Sequence, residues 1–338
     1  MTEDQRVPVK LQASIERWLM IAPLKIAGHT FNEMDVVRVR LSDGEHEGQG
    51  EAAGVFYRND FPSAILAQTE AVRARVEAGV TRRELRDLLP PSGARNAIDC
   101  ALWDLESRRS GKPVWMLAGM KAPEPLLTTF TLGADTPENM AAGALGKYAE
   151  ARAIKLKLLG DGSDAERVRA VRAAREDVWL GVDGNQGFTL EGLAELLPTL
   201  VDSRIALIEQ PCKVGEEHAL QGLHLPIPLA ADESVQSLQD LTGQVGRFEF
   251  INIKLDKCGG LTEALLMIAE CRRLGLRPMV GNMGGTSLAM APALLAGQYC
   301  DLVDLDGPLF FTRDRTPAVN YNRGLVSTPD GLWGWSGS

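Results

Sequence analysis

Five short apolar runs in this chain each end in a charged side chain. Asp183, Glu209 and Asp232 close three consecutive runs, Lys157 closes the run before them, and Lys254 closes the run after them. Short apolar runs that alternate with helical segments predict parallel β-strands joined by helices. The carboxyl ends of such strands meet at one mouth of a barrel. The sequence therefore predicts that these five side chains converge at a single site.

The pattern of strand, turn and helix repeats from about residue 126 onwards. Helical segments separate the apolar runs, so we predict seven intervening helices and an α/β fold of the (β/α)7β TIM-like barrel type. The predicted strands lie near residues 126–132, 153–158, 178–183, 205–209, 227–231, 249–255, 277–281 and 301–304.

The sequence before the barrel has a different pattern of apolar and polar residues. Residues 7–60 alternate apolar and polar positions between glycines, which predicts antiparallel strands. Residues 63–89 and 93–110 have helical periodicity, with Ser92 as the N-cap and Gly111 as the stop of the second helix.

We predict an N-terminal α+β capping domain over residues 1–120 and a catalytic barrel over residues 121–308. The tail, residues 309–338, is rich in proline, glycine and tryptophan, and we expect it to fold back onto the capping domain and complete it.

Composition excludes several classes of function. The net charge of −9 argues against a nucleic-acid partner, which would need a basic face. The five cysteines form no CxxC motif, which argues against a disulfide framework or a zinc site and favours the reducing cytoplasm. The first residues resemble no signal peptide, and the uncharged stretch 279–300 contains too many polar residues, prolines and glycines for a membrane span.

Strand parity places the lysines inside the barrel. Residues i and i+2 share a face, so Lys155 and Lys157 point inwards together, and Lys254 has the same parity in its own run. Lys157 ends the second predicted strand and Lys254 the sixth, which lie opposite each other in an eight-stranded barrel. Two opposed bases suit removal of a proton from one face of a carbon and return of a proton to the other. For Lys155 and Lys157 alone, a solvated strand end would be the simpler interpretation.

The three carboxylates between these lysines predict a divalent-metal site, because Mg²⁺ and similar hard cations prefer oxygen ligands. Helix capping is the alternative role, and it fits Asp232 best, since a polar helical start follows it. Gly184 and Gln210-Pro211 make capping a poor explanation for the other two carboxylates. Asn185 shares the parity of Asp183, and we expect it to orient that ligand.

Asp304 and Asp306 close the eighth predicted strand in the sequence LVDLDGP. Two inward carboxylates beyond the metal ligands are suited to bind a cationic group such as an ammonium. The alternative is a turn with Gly307 and Pro308. None of the four histidines lies at a predicted strand end, so a histidine base is not expected, and GQGEAAG at 48–54 has the wrong spacing for a dinucleotide fingerprint.

The motifs IKLKL, VDGNQG, LIEQP, ADES and INIKLDKCGG follow one another after the segment SGARNAIDCALWDLESRRSGKPVWMLAG. In this order they resemble the enolase superfamily, specifically its muconate-lactonising-enzyme-like subgroup, and within it the dipeptide epimerases. The resemblance covers nearly the whole chain. It implies a capping domain on a barrel and the inversion of the α-carbon of a dipeptide's C-terminal residue through an enediolate.

The resemblance also implies roles for single residues. Mg²⁺ would lie on Asp183, Glu209 and Asp232, with Lys157 and Lys254 as the acid/base pair. The remaining implied substrate contacts are Lys155 on the carboxylate side, Asp304 and Asp306 on the α-ammonium group, and Thr129, Asn282 and Gly284.

Related reactions on the same scaffold stay open as alternatives, namely N-acylamino-acid racemisation, o-succinylbenzoate synthesis and muconate cycloisomerisation. Their substrates carry no free ammonium group, so Asp304 and Asp306 favour the dipeptide. A barrel that binds metal without catalysis is a further alternative, but no ligand or lysine is missing here. Barrels of this kind commonly form homo-oligomers, and the sequence leaves that state open.

One departure from the family pattern concerns the substrate side chain. Epimerases that act on Ala-Glu resemble this chain but usually carry an arginine in the first capping-domain loop. Alignment on Pro23 and Ile26 places Gly28 in that position, with Lys25 and His29 nearby. The sequence therefore leaves the preferred dipeptide open.

Overall fold

A computed structural model describes residues 7–26 and 29–334 of the chain. Its N-terminal part begins with a three-stranded antiparallel sheet in the order β1 (Lys10–Ile26), β2 (His29–Ser42) and β3 (Glu47–Ala52). Alternate residues of β2, such as Val37 and Val39, are fully buried, as the period of two predicts for a sheet covered on one face. The antiparallel region expected from the sequence is confirmed.

A 3₁₀ helix (Phe56–Arg58) and four α-helices follow the sheet: α1 (Pro62–Glu77), α2 (Arg82–Leu88), α3 (Gly93–Ser110) and α4 (Val114–Leu117). The bounds and caps predicted for α3 are confirmed, because Ser92 accepts a hydrogen bond from the Arg95 N–H and Gly111 has a φ of 63°. The helical character predicted over 63–89 is confirmed, but the region is not continuous. It divides into two because Thr81 and Glu84 form a capping box that starts a new helix.

Eight parallel strands form the barrel sheet and follow one another in chain order. At the sheet's two edges, the Thr129 N–H donates to the Val303 carbonyl oxygen at 2.9 Å, which joins the first strand to the last. The predicted barrel fold is confirmed. Its strands are β5 (Phe130–Leu132), β6 (Ala153–Lys157), β7 (Trp179–Asp183), β8 (Leu207–Glu209), β9 (Leu229–Ala231), β10 (Phe250–Lys254), β11 (Arg277–Gly281) and β12 (Leu302–Val303).

The connections differ from the prediction of seven helices. Five contain α-helices, whereas β8 to β9 and β9 to β10 contain the 3₁₀ helices Glu217–Leu220 and Leu238–Gln244. Prolines and glycines interrupt the first segment and two glycines interrupt the second, which disfavours longer helices. The α-helices are α5 (Pro137–Leu145), α6 (Asp164–Ala174), α7 (Leu190–Asp202), α8 (Leu255–Cys258), α9 (Leu261–Arg273) and α10 (Ser287–Gly297).

The chain's tail returns to earlier parts of the molecule. A small antiparallel sheet joins β4 (Leu126–Leu127) to β14 (Leu325–Ser327), which pairs with β13 (Asn320–Asn322). Residues 126–127 thus belong to this sheet and not to the first barrel strand. Phe311 bridges to Met20, and the Trp333 indole N–H donates to the Gln49 carbonyl oxygen at 2.9 Å. The domain boundaries themselves stay a prediction.

Two expectations from composition concern the described residues. All five cysteines are free, and four of them are buried. Among residues 7–26 and 29–334, no helix combines the length and apolarity that a membrane crossing requires.

The seam between cap and barrel contains a buried carboxyl group. Asp256 lies in α8, just beyond β10, and accepts a hydrogen bond from the Gly54 N–H of the cap at 2.9 Å. Burial raises the pKa of Asp256 to about 7, although the hydrogen bond from Gly54 opposes that rise. The folded protein therefore favours the protonated form of this side chain.

We expect Asp256→Asn to make stability less dependent on pH. The raised pKa of Asp256 gives a stabilisation that is complete below the unfolded value of about 4 and is lost as pH rises towards about 7. The asparagine amide stays neutral at every pH. The free energy of unfolding of the variant, relative to that of the native protein, should therefore rise by roughly 2 kcal/mol between pH 5 and pH 8. Denaturant unfolding at both pH values measures this. An equal stability difference between variant and native protein at pH 5 and pH 8 would contradict this expectation.

Candidate active site

A cavity of about 310 Å³ lies between the mouth of the barrel and the capping domain. The barrel side is polar and charged, whereas the cap side is mainly apolar and aromatic. The barrel contributes Lys155, Lys157, Asp232, Lys254, Asp304 and Asp306, and the cap contributes Met20, Phe31, Met34, Phe56, Tyr57 and Phe61.

The three candidate metal ligands stand on adjacent strands. Asp183 ends β7 in register with Glu209 at the end of β8, and Asp232 directly follows β9. One oxygen of each carboxylate lies within 4.8 Å of the other two, and all three side chains are buried. A buried cluster of oxygen donors only is the chemistry that Mg²⁺ requires, so these residues fit that ion.

The two predicted acid/base lysines flank this cluster. Lys157 Nζ lies 2.5 Å from Asp183 Oδ2, and Lys254 Nζ lies 2.6 Å from Asp232 Oδ2. Their strands, β6 and β10, are separated in the sheet by the three strands that carry the carboxylates. The structure thus places both lysines in one cavity, on opposite sides of the candidate metal site.

Burial and charge act in opposite directions on these groups. Burial raises the pKa of Glu209 to about 7, and the charges of Asp183 and Asp232 add to that rise while Lys155 opposes it. Burial would also raise the pKa of Asp232, but the ammonium groups of Lys254 and Lys257 outweigh it and lower that pKa below its usual range. The cluster therefore depends on its lysines to stay ionised.

Lys155 and Asp304 form a second buried pair beside the metal cluster. The Lys155 ammonium donates to Asp304 Oδ2 and lies 3.4 Å from Glu209 Oε2. Thr129 donates from its hydroxyl to Asp304 Oδ1 at 2.5 Å. Thr129 was expected to contact substrate, but it is not among the residues that line the cavity. Thr131, two positions further along the strand, lines it instead.

Asp306 lies at the same end of the cavity. It accepts a hydrogen bond from the Thr131 N–H at 2.6 Å, and burial raises its pKa to about 6, with a further rise from Asp304. Asn282 and Gly284 also line the cavity, as expected for substrate contacts. The Asn282 amide donates to the Asp304 carbonyl oxygen at 2.7 Å, which ties this loop to the end of β12.

Asn185 contacts Asp183 in a different way from the one expected. Its backbone N–H donates to Asp183 Oδ1 at 2.9 Å, whereas its side chain donates to Glu233 Oε1 at 3.3 Å. Asn185 has a φ of 40°, and this left-handed turn brings its N–H onto the ligand. Glu233, which also lines the cavity, was not predicted as a site residue.

Two further residues, which were not predicted as site residues, donate hydrogen bonds to the carboxylates from the side away from the cavity. Lys257 is 1% exposed and donates to Asp232 Oδ1 at 2.7 Å and to the carbonyl oxygens of Asp232 and Asn252. The Asn252 amide donates to Glu209 Oε1 at 2.7 Å. Both belong to the motif INIKLDKCGG. Strand parity places Asn252 on the inward face with Lys254, although no role was predicted for it.

The family pattern gives an arginine to the position of Gly28. Gly28 lies outside the residues that the structure describes, together with the side chains of Lys25 and His29. Among the described residues that line the cavity, every cation is one of the three barrel lysines.

Two family models match the chain. Residues 10–119 match the N-terminal domain model of mandelate racemase / muconate lactonizing enzyme, and residues 139–332 match an enolase C-terminal domain-like model. Among curated proteins, the L-Ala-D/L-Glu epimerase of Escherichia coli (strain K12) is 38% identical over 310 residues, which cover 91% of this chain and 96% of the relative.

Solved structures agree with this. An enolase family member from Agrobacterium tumefaciens with homology to dipeptide epimerases, which has bound sodium and L-Ala-L-Glu, superposes with a TM-score of 0.93 at 40% identity and covers 96% of this chain and 100% of its own. A dipeptide epimerase from Methylococcus capsulatus, complexed with Mg and L-Arg-D-Lys, has a TM-score of 0.89 at 28% identity and covers 96% and 99%.

We expect Lys257→Met to destabilise the fold more than Lys254→Met. Both substitutions remove an ammonium from Asp232, but Lys257 lies away from the cavity, so its loss removes three buried hydrogen bonds and leaves Asp232 Oδ1 without its donor. Breaking a buried pair in this way costs about 3–5 kcal/mol. Asp232 Oδ2 can face the cavity when Lys254 is removed. Thermal unfolding of the two variants side by side measures the difference, and equal losses would contradict it.

Proposed function

Because this chain belongs to the mandelate racemase / muconate lactonizing enzyme family of enolase-like proteins, we propose that it is a Mg²⁺-dependent dipeptide epimerase. The reaction inverts the α-carbon of the C-terminal residue of a dipeptide by a two-base proton transfer. The observation that carries this proposal is the placement of Lys157 and Lys254 in one cavity, on opposite sides of three buried carboxylates.

Asp183, Glu209 and Asp232 are the residues that would hold Mg²⁺. When bound there, the ion supplies positive charge beside the substrate's carboxylate, which makes the neighbouring α-proton more acidic. Asn252, Lys257 and the Asn185 N–H each hold one carboxylate oxygen, so the ligands are oriented before any ion arrives.

The lysines carry the proton. One Nζ, as the free amine, accepts the α-proton from its face of the carbon. The resulting enediolate is planar at that carbon and therefore has no configuration there. The opposite Nζ, as the ammonium, donates a proton to the other face. Because each lysine can play either part, the same site serves both epimers.

The other end of the cavity would bind the dipeptide's N-terminus. Asp304 and Asp306 offer two carboxylates to an α-ammonium group. Lys155 neutralises Asp304 and lies near Glu209, and we assign it to the substrate's carboxylate side. A dipeptide would thus be held by opposite charges at its two ends, with the α-carbon of its second residue between the lysines.

We expect Lys157→Ala and Lys254→Ala to abolish exchange from opposite epimers. In ²H₂O, each variant should still deuterate the epimer whose α-proton faces the remaining lysine, while epimerisation falls about 10²–10⁴-fold in both. Mass spectrometry of L-Ala-L-Glu, L-Ala-D-Glu and a wider dipeptide library measures α-deuteration.

The matched control for these variants is Mg²⁺ affinity by calorimetry. Full-rate exchange from both epimers in either variant would contradict the two-base assignment. A native protein that does not bind Mg²⁺ would instead support a catalytically silent barrel.

We expect Asp306→Asn to separate dipeptide epimerisation from N-acylamino-acid racemisation. Asparagine keeps an oxygen for the Thr131 N–H but loses the charge that would bind an ammonium group. A charge-assisted hydrogen bond contributes about 1.5–3 kcal/mol, so kcat/KM for a dipeptide should fall roughly tenfold to hundredfold. Exchange of an N-acetylamino acid, which has no ammonium group, should hardly change.

Asp306 is preferable to Asp304 for this test because Asp304 also binds Lys155. An equal effect on both substrates would contradict the assignment.

A further inference from the structure

The segment GQGEAAG at residues 48–54 lies where the cap meets the barrel. It forms most of β3 and the turn after it, and its first two glycines pack directly against α3. A Cβ atom on Gly48 or Gly50 would overlap the carbonyl oxygens of Ala101 or Ala97 in that helix. This close packing fixes β3 on α3 and gives the next residue, Glu51, a defined direction.

Glu51 reaches out of the cap to the barrel. Its side chain is buried, and its carboxylate accepts hydrogen bonds from the Thr286 N–H at 2.7 Å and the Thr286 hydroxyl at 2.6 Å. Arg315, from the chain's tail, donates to the same carboxylate from Nε at 3.0 Å and also from Nη2. One carboxylate therefore joins the cap, the barrel and the tail.

Thr286 ends the loop between β11 and α10, and this loop forms part of the cavity wall. Asn282, Met283 and Gly284 line the cavity. Gly284 and Gly285 have φ angles of 100° and 108°, a conformation that costs glycine little but gives the loop no side-chain packing of its own. Its shape must therefore be set by its ends.

Each end of this loop is held by a different part of the molecule. At the β11 end, Asn282 donates to the Asp304 carbonyl oxygen and accepts from the Gly284 N–H at 2.8 Å. At the α10 end, Thr286 is held by Glu51 of the cap. The barrel therefore holds one end of this substrate-facing loop, and the capping domain holds the other.

We propose that Glu51, Thr286 and Arg315 form an interdomain latch, and that Glu51 is a positioning residue for the substrate-binding loop between β11 and α10. This inference rests on the proposed function, because the loop contacts whatever the cavity binds. The latch couples the placement of the cap to the shape of the barrel's substrate wall. Glu51 lies in the cap and does not line the cavity, so it acts through Thr286 and not on the substrate itself.

The test compares Glu51→Gln with Glu16→Gln. Both replace a carboxylate that pairs with Arg315 Nη2, but Glu16 makes no contact with Thr286 in the described structure. Glutamine at position 51 keeps one acceptor oxygen, but its NH2 group would face either the Arg315 donors or the Thr286 N–H. One side of the latch would therefore lose its acceptor. Glu16→Gln is therefore a matched control for the loss of one charge.

The readouts separate positioning from general stability. L-Ala-L-Glu and L-Ala-L-Phe serve as probes, and the faster one in the native protein gives KM and kcat from α-deuteration. A misplaced substrate wall can lower kcat/KM by up to about a hundredfold, and we expect Glu51→Gln to show most of its loss in KM. Mg²⁺ affinity should stay within about twofold, because the ligands lie on other strands. Hydrogen exchange should quicken at residues 282–286 in this variant and not in Glu16→Gln.

The possible outcomes are distinct. Equal KM values and equal loop exchange in the two variants would overturn the latch, as would a lower melting temperature of Glu51→Gln with no change in either readout. If Glu51→Gln does not fold, Thr286→Val is compared with Thr286→Ser by the same criteria. Serine keeps the hydroxyl that donates to Glu51, whereas valine keeps only the shape of threonine. A native protein that deuterates no dipeptide would refute the proposed function, while loop exchange would still decide the latch.

Discussion

The buried charges at the mouth of the barrel are the constraint on which the rest of the structure depends. Three carboxylates with almost no exposed surface cannot stay ionised without cations within hydrogen-bond distance. Lys155, Lys157, Lys254 and Lys257 supply those cations, the first two from β6, the third from β10 and the last from α8. The parallel strands of the barrel solve this problem because their carboxyl ends meet at one place.

The four lysines divide into two kinds by what lies beyond them. Lys155, Lys157 and Lys254 face the cavity, so their ammonium groups can exchange a carboxylate for a ligand. Lys257 has all three of its donors engaged by Asp232 and Asn252 and lies away from the cavity. Proton transfer needs groups that can change partners, whereas ligand orientation needs groups that cannot. The site contains both kinds within one turn of chain, at Lys254 and Lys257.

Most of the barrel and the metal cluster could be predicted because parallel strands covered on both faces are continuous apolar runs. A charged residue at the end of such a run is conspicuous, and parity then gives its direction. Lys257 could not be placed by the same reasoning, because it lies in the short helix α8 and helical direction does not follow strand parity. Thr129 came only from the family resemblance, and the threonine that lines the cavity is Thr131, in β5. Glu51 was missed because nothing local marks a contact with Thr286, which is 235 residues away in the chain.

The tail's return to the cap has a consequence for how the protein matures during synthesis. Phe310 and Phe311 line the cavity, and Arg315 completes the contact between Glu51 and Thr286. All eight barrel strands and all the charged residues of the cluster precede these positions, so a nascent chain contains the complete cluster before this part of the cavity wall is synthesised. Contacts of such high sequence separation form late in folding. The part of the cavity wall that Phe310 and Phe311 supply is therefore the last to take its place.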